Sequence, residues 1–429
     1  MTTTPPTPVA NRGWLVMSAA VGINLILGSL YAWGVIAKVL ADPKGVWHWS
    51  KTDASLPFTV STAAFAVTMI FAGRAQDKLG PRGVAMLGGV MFGLGLFASA
   101  FAKTPLLMML TYGVIGGIGI GLCYSATTPP AIKWFPPGKK GVITGVVVSG
   151  VGLAAVYVSP LTQLLLEKTG VSQTFMILGA GAIVLIILFT QFLSNPPLGY
   201  VAAAPAAPGP ASVGAAAPAR PAAAPRVELD WHEMLRRRRF YLLWAMFVLA
   251  ASAGLMIIAH VAIIAKEQAG WKWGFVPVAT LAIFNTLGRV MSGFFSDRFG
   301  RPRTMVLAFL LQAINMCLFA RYTTPELVVF GAAFAGLCYG TIFTLMPAAT
   351  ADFYGVRNLG VNYGLLFTAF GIAGITGPLL GGKVRDLCGN YDASYAISAC
   401  MLLVAAILAL CSDSRPEESR VAAAGVKPA

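Results

Sequence analysis

Gly73-Arg-Ala-Gln-Asp77-Lys78-Leu-Gly80-Pro-Arg82 and Gly293-Phe-Phe-Ser-Asp297-Arg298-Phe-Gly300-Arg301-Pro-Arg303 are two copies of one pattern, G-x-x-x-D-[KR]-x-G, each following a long apolar run. One copy alone reads as a plain polar turn. Two copies in equivalent settings mean that one structural unit occurs twice in the chain. Two further pairs fall in the same order: Gly121-Leu-Cys-Tyr124 is matched by Gly336-Leu-Cys-Tyr339, and Gly141-Val-Ile-Thr-Gly145 by Gly360-Val-Asn-Tyr-Gly364. All three pairs are separated by nearly the same length of chain, which chance does not readily produce.

Outward from these landmarks the sequence is a series of apolar stretches. Of its 429 residues, 57% are hydrophobic and 11% charged, against a charged share of roughly 25% in soluble domains. A water-soluble core has no use for so much apolar surface. Uninterrupted runs of about 17 to 25 residues cross a bilayer as helices. Twelve such runs begin near Trp14, Leu56, Val84, Leu106, Gly141, Thr174, Phe240, Phe275, Met305, Leu327, Val361 and Ala393. The first is longer than the apolar part of a secretory signal and lacks a convincing small-residue cleavage site, so it is read as a retained span.

The expected fold is therefore an all-α membrane protein of twelve transmembrane helices in two pseudo-symmetric six-helix bundles. Residues 1–200 form the first bundle, 240–412 the second, and 413–429 a tail. Between the bundles lies a linker, 201–239. Its part from Val201 to Pro225 is almost all Ala and Pro, with too few packing side chains to hold a core. From Val227 to Arg239 the pattern suits a short amphipathic surface helix that uses Leu229, Trp231, Met234 and Leu235.

A net charge of +15 fits nucleic-acid binding or a membrane, and its distribution favours the membrane. With the N-terminus inside, most Lys and Arg fall in inner loops and tails, including Arg74, Lys133, Lys139, Lys140 and Arg303. Both termini are then cytoplasmic, in a multi-pass protein of the inner membrane, and Arg236 to Arg239 anchors the seventh span on an anionic leaflet. Cys123, Cys317, Cys338, Cys388, Cys400 and Cys411 form no C-x-x-C pair, and most lie in apolar spans, as small hydrophobes do. The glycines from Gly116 to Gly121 follow no strand and serve close helix approach, not dinucleotide binding. The chain has no P-loop and its spans hold no catalytic constellation. An enzyme, a metal site and a cofactor are not expected, and the protein is expected to work as a monomer.

The doubled G-x-x-x-D-[KR]-x-G turn resembles the signature of the major facilitator superfamily, and the resemblance extends over the whole chain. It implies two bundles that rock about a central cavity, opening it to each side in turn. Elementary chemistry suggests the turn's role. Asp77 and Asp297 attract a neighbouring helix N-terminus, while Lys78, Arg82, Arg298 and Arg301 hold the cytoplasmic face. Gly73, Gly80, Gly293 and Gly300 permit the tight turn. Such contacts are made in one state and broken in the other.

Ionisable residues inside the spans are few: Arg289 near the middle of the eighth, His260 toward the outer end of the seventh, and Lys38 at the outer edge of the first. No predicted span holds an Asp or Glu to neutralise Arg289. An Arg at a helix centre costs roughly 2.5 to 3.5 kcal/mol to insert, so it normally faces a partner or a wet cavity. An anionic substrate supplies the missing charge, because the planar guanidinium matches a carboxylate with two parallel hydrogen bonds. The alternative is a guanidinium spent on backbone carbonyls at a bundle interface. Asn285, on the same helical face, can donate to the carboxylate or hold the Arg fork. One positive charge balances a monoanion and leaves a dianion in excess.

Asn285-x-x-x-Arg289 resembles the Asp-x-x-x-Arg of proton-coupled monocarboxylate transporters, and Arg12-Gly13-Trp14 and Lys139-Lys140 echo motifs of that family. This likeness implies that Arg289 binds the carboxylate of lactate or pyruvate, by proton-coupled symport. The chain is also similar to bacterial oxalate:formate antiporters, a likeness that implies a second cation, a Lys, in the segment Phe367-Thr-Ala-Phe370-Gly371. The matching position is Phe370, so the charge suited to oxalate is missing. Two departures touch proton coupling. Asn285 replaces a titratable Asp, and Val35 stands where a first-span Lys is expected, with Lys38 a turn away. The proton then rides on the substrate carboxylate or passes through His260, whose other reading is helix packing. Tyr124 and Tyr339 occupy matching places and offer hydroxyls, while Tyr31, Phe343, Phe367 and Phe370 supply an apolar wall; ordinary packing explains each of them equally well.

Overall fold

Backbone N–H and C=O groups in an apolar medium must find partners within their own segment, so long apolar runs fold as helices. The computed structural model describes residues 12–42, 45, 47–197, 200, 228–271 and 274–412, and among them there is no strand. The Ala/Pro stretch and the tail expected at 413–429 lie outside the described residues.

Among the described residues eleven helices are long and apolar enough to cross a membrane, and one of them, Lys140–Thr190, breaks at Gly170 (φ 77°) into two. The result is twelve crossings. In chain order these are α1 Gly13–Leu40, α2 Lys51–Leu79, α3 Pro81–Ser99, α4 Pro105–Lys133, α5 140–169, α6 171–190, α7 Arg238–Gln268, α8 Phe275–Phe299, α9 Arg301–Phe319, α10 Pro325–Tyr354, α11 Leu359–Cys388 and α12 Asp392–Cys411. Helix α2 starts before Leu56, the first residue of its apolar run, because the Ser50 side chain accepts from the Asp53 amide and caps it there.

The internal repeat extends to the helix ends. Thr104-Pro105 and Thr324-Pro325 open α4 and α10 alike: each Thr side chain accepts from the amide three residues on, and each Pro occupies the first turn, where it has no hydrogen bond to lose. Gly80 and Gly300 close α2 and α8 with φ of 88° and 91°, a conformation that a side chain resists.

The bundles meet along two matching seams, α2 against α11 and α5 against α8. Glycines bring the backbones together there. A Cβ on Gly73 would strike the carbonyl of Gly360, and one on Gly293 the carbonyl of Gly141. Lipid provides no hydrophobic drive for such contacts, so close packing and polar bonds hold them. Both seams are closed at the end of the molecule that carries the doubled turns, called here the signature face.

The linker's basic end is helical over a shorter range than its pattern suggests. A surface helix spans Trp231–Leu235, capped reciprocally by Asp230 and Glu233. Arg237 is extended (φ −90°, ψ 127°), which ends that helix and turns the chain into α7. Arg238 and Arg239 therefore belong to the first turn of a membrane helix.

Candidate functional site

Midway along α8, small and polar residues face inward together: Asn285, Gly288, Arg289 and Ser292 are all buried. Gly288 lets α8 touch the Leu337 carbonyl of α10, and Gly340 lets α10 touch the Asn285 carbonyl. This contact leaves Arg289 no route to solvent along its own helix, and its exposure is 1%.

Its guanidinium reaches across to the other bundle. An Nη1 proton is donated to the backbone carbonyl of Val148 in α5. Nε donates to Asn285 Oδ1 at 3.2 Å. The guanidinium carbon lies 4.9 Å from the centre of the Phe343 ring, a cation–π distance. Among the described residues no Asp or Glu forms an ion pair with Arg289. A guanidinium carries five N–H donors, so the two bonds described leave three without a protein acceptor. One donor is spent on a carbonyl at the bundle interface, as the alternative reading expects.

Aromatic rings from both bundles surround it. Phe343 meets Tyr339 at 5.2 Å and Phe370 at 5.3 Å between ring centres, and Phe370 meets Phe367 at 5.1 Å. Phe367 lies 5.7 Å from Tyr124, which comes from α4 of the first bundle. The structure therefore brings together Arg289, Asn285, Tyr124, Tyr339, Phe343, Phe367 and Phe370. It adds Phe65, 4.9 Å from Phe367 and 5.4 Å from Tyr124, and Phe247, 6.0 Å from Phe367. Tyr363 joins from α11, with its ring 5.7 Å from Phe367 and its hydroxyl within electrostatic reach of Tyr124 and Arg289. The side chain of Tyr31 lies outside those described.

His260 and Lys38 stand elsewhere. The His260 ring bonds the Pro378 carbonyl at 3.0 Å and the Tyr391 hydroxyl at 3.2 Å, inside the second bundle and well outward of Phe367 on α11. Gly381 makes room for it. Lys38 is exposed at the far end of α1.

At the signature face each turn's Asp reaches the start of a helix in the opposite bundle. Asp77 Oδ2 accepts from the Val361 amide at 3.0 Å. Asp297 accepts from the Gly141 and Val142 amides, both at 2.8 Å. Unpaired amides and the helix dipole make these helix starts good partners for a carboxylate. Arg301 pairs with Asp297 at 2.7 Å and Asp352 at 2.9 Å, and Lys140 crosses between bundles to Asp352 at 2.9 Å. Lys78 and Arg298 point outward and are exposed, while Arg82 bonds Gln191.

A twice-repeated six-helix unit, a buried cation between the halves and carboxylate clasps at one face are the arrangement of a two-bundle membrane carrier. The sequence profile of the Major Facilitator Superfamily matches residues 13–293 and 264–429, and the chain belongs to that family. It is 28% identical over 406 residues to the oxalate:formate antiporter of Oxalobacter formigenes, covering 94% of this chain and 91% of that protein. To monocarboxylate transporter 11 of Mus musculus it is 26% identical over 417 residues, covering 92% and 86%. Among solved structures, the proton:xylose symporter XylE superposes with a TM-score of 0.70 at 13% identity, covering 94% of this chain and 96% of that one. At that identity the likeness concerns the fold. Family and fold are those of transporters, not enzymes.

Proposed function

We propose that this protein is a secondary transporter of small monocarboxylates such as L-lactate or pyruvate, working by alternating access in the inner membrane with the signature face and both termini cytoplasmic. The observation that carries the reading is Arg289, buried between the bundles with, among the described residues, no acceptor for three of its donors and no carboxylate paired with it. A carboxylate that reaches Arg289 takes those donors and neutralises the charge. The surrounding rings then receive a short apolar tail, and Tyr124, Tyr339 and Tyr363 offer hydroxyls to a 2-hydroxy or 2-oxo group. Names of relatives on both sides, monocarboxylate and oxalate:formate, support an organic acid as the cargo. Phe370 at the ring cluster favours one negative charge over two.

Transport coupled to protons requires a proton site. In this reading the proton travels with the substrate carboxylate, since Asn285 cannot titrate and His260 is held away by Pro378 and Tyr391. The same absence of an acid beside Arg289 among the described residues favours a second reading, exchange of one organic anion for another. Uptake of labelled L-lactate into proteoliposomes separates the two. Accumulation driven by an inward proton gradient supports symport, and entry only against preloaded anion supports exchange. Failure of any short organic acid to enter by either route rules out the proposal.

A further inference from the structure

Clasps at the signature face come in matching pairs, yet the two seams are unequally charged. Lys133 and Asp352 stand the same number of residues before Gly141 and Gly360, and so occupy equivalent places at the ends of α4 and α10. At the α5–α8 seam, Asp352 is met by a cation of the other bundle, Lys140, at 2.9 Å. By the same repeat, the residue that should meet Lys133 at the α2–α11 seam is the one before Gly360, which is Leu359. Among the described residues the ion pair that Lys133 makes is with Asp77 of its own bundle, at 3.9 Å.

The last part of the linker occupies this gap. Glu228 Oε2 accepts from the Arg357 amide at 2.8 Å, beside Leu359. Leu229 is fastened on three sides: its amide donates to the Tyr354 carbonyl at 3.0 Å, and its carbonyl accepts from Asn358 at 3.3 Å and from Asn362 at 3.2 Å. Asn362 is wholly buried, next to Val361, whose amide binds Asp77. The Asp230–Glu233 cap and the buried Met234 then secure the surface helix that follows. Glu228, held at the Arg357 amide, and Lys133, held by the Asp77 that binds the Val361 amide, thus both stand at the start of α11, where the charge of one acts on the other.

We propose that Glu228 is the acidic partner which the repeat omits at Leu359, and that residues 228–235 act as a strap fastening the second bundle to Lys133 of the first while the signature face is closed. The strap is bonded to the turn between α10 and α11 and moves with that bundle. Opening the signature face carries Glu228 away from Lys133, as it carries Asp352 away from Lys140. Lys133 is largely buried but Glu228 is exposed, so water screens the pair, and Glu228 trims the balance between the two states and does not lock it.

The test is a spin-label distance measured across the signature face of the full chain without substrate. Labels go on Gly138→Cys and Arg303→Cys, one in each bundle, after replacing the exposed Cys317, Cys388, Cys400 and Cys411 by Ala. Glu228→Gln retains an acceptor for the Arg357 amide and removes only the charge. The population with the longer distance should rise about two- to five-fold, the scale of an exposed pair, and less in high salt. In a Lys133→Gln background the same Glu228→Gln change should add nothing. An unaltered distribution in the single variant, or an equal shift in both backgrounds, overturns the proposal. Because no substrate is present, this outcome is independent of whether Arg289 binds a carboxylate.

Discussion

Replacing Arg289 by Lys keeps a positive charge at the junction of the bundles and removes its fork. In the structure the guanidinium serves Val148 and Asn285 through Nη1 and Nε and still presents donors to a ligand. An ammonium has a single nitrogen, which must choose between the Val148 carbonyl and the substrate. Losing one of two charge-assisted hydrogen bonds to a carboxylate costs about 1.5 to 3 kcal/mol, or about a 10- to 150-fold rise in Kd at 1.4 kcal/mol per decade. Calorimetric titration of L-lactate into the purified variant reads this directly, with the thermal midpoint and elution volume showing that the fold survives. A Kd within about three-fold of the unmodified protein, in a variant that folds normally, refutes the assignment of Arg289 as a bidentate anchor.

Other substitutions probe different parts of the account. Phe370→Lys places a second cation in the ring cluster, where Phe370 lies 5.3 Å from Phe343, the ring that the Arg289 guanidinium also contacts; oxalate should then compete with lactate more strongly, and an unchanged ranking in competition assays removes Phe370 from selectivity. Asn285→Asp sets an internal counter-ion where Oδ1 is 3.2 Å from Arg289 Nε. Lactate should bind that variant more weakly at neutral pH and recover as pH falls, because protonating the new carboxyl frees the guanidinium; an affinity equal to the original at every pH contradicts this. Gly73→Ala drives a methyl into the Gly360 carbonyl, a backbone atom that cannot swing aside. The signature face should open in the spin-label measurement, whereas Gly83→Ala, with open space around its added carbon, should leave the distances alone.

How much of this was legible in the sequence depends on whether a feature repeats or carries charge. The two-bundle fold was visible because Gly73 to Arg82 and Gly293 to Arg303 share a pattern, as do Gly121 to Tyr124 and Gly336 to Tyr339; the matching helix starts at Thr104-Pro105 and Thr324-Pro325 came to light with the structure. Arg289 stood out as a charge in an apolar run, and Tyr124 and Tyr339 as a matched pair. Phe65, Phe247 and Tyr363 were missed for a physical reason: an aromatic residue in a membrane helix has no marker in one sequence to say whether it faces lipid or the centre. The Val148 carbonyl is a backbone atom and leaves no trace in side-chain patterns. Nor does an exposed acid such as Glu228 announce itself; only the folded chain brings it to the Arg357 amide, at the start of α11 near which Lys133 pairs with Asp77. The linker helix was expected to run from Val227 to Arg239, and the extended Arg237 confines it to Trp231–Leu235. Four adjacent arginines on a helix repel one another, and a break lets them diverge.

The central claim is that a carboxylate supplies the charge Arg289 lacks. Its most direct test compares calorimetric binding of L-lactate with that of lactamide, which keeps the size and hydroxyl of lactate and loses its charge. The account predicts saturable binding of lactate, no measurable binding of lactamide, and loss of lactate binding in Arg289→Ala. Equal binding of the two ligands, or lactate binding that persists in Arg289→Ala, contradicts it.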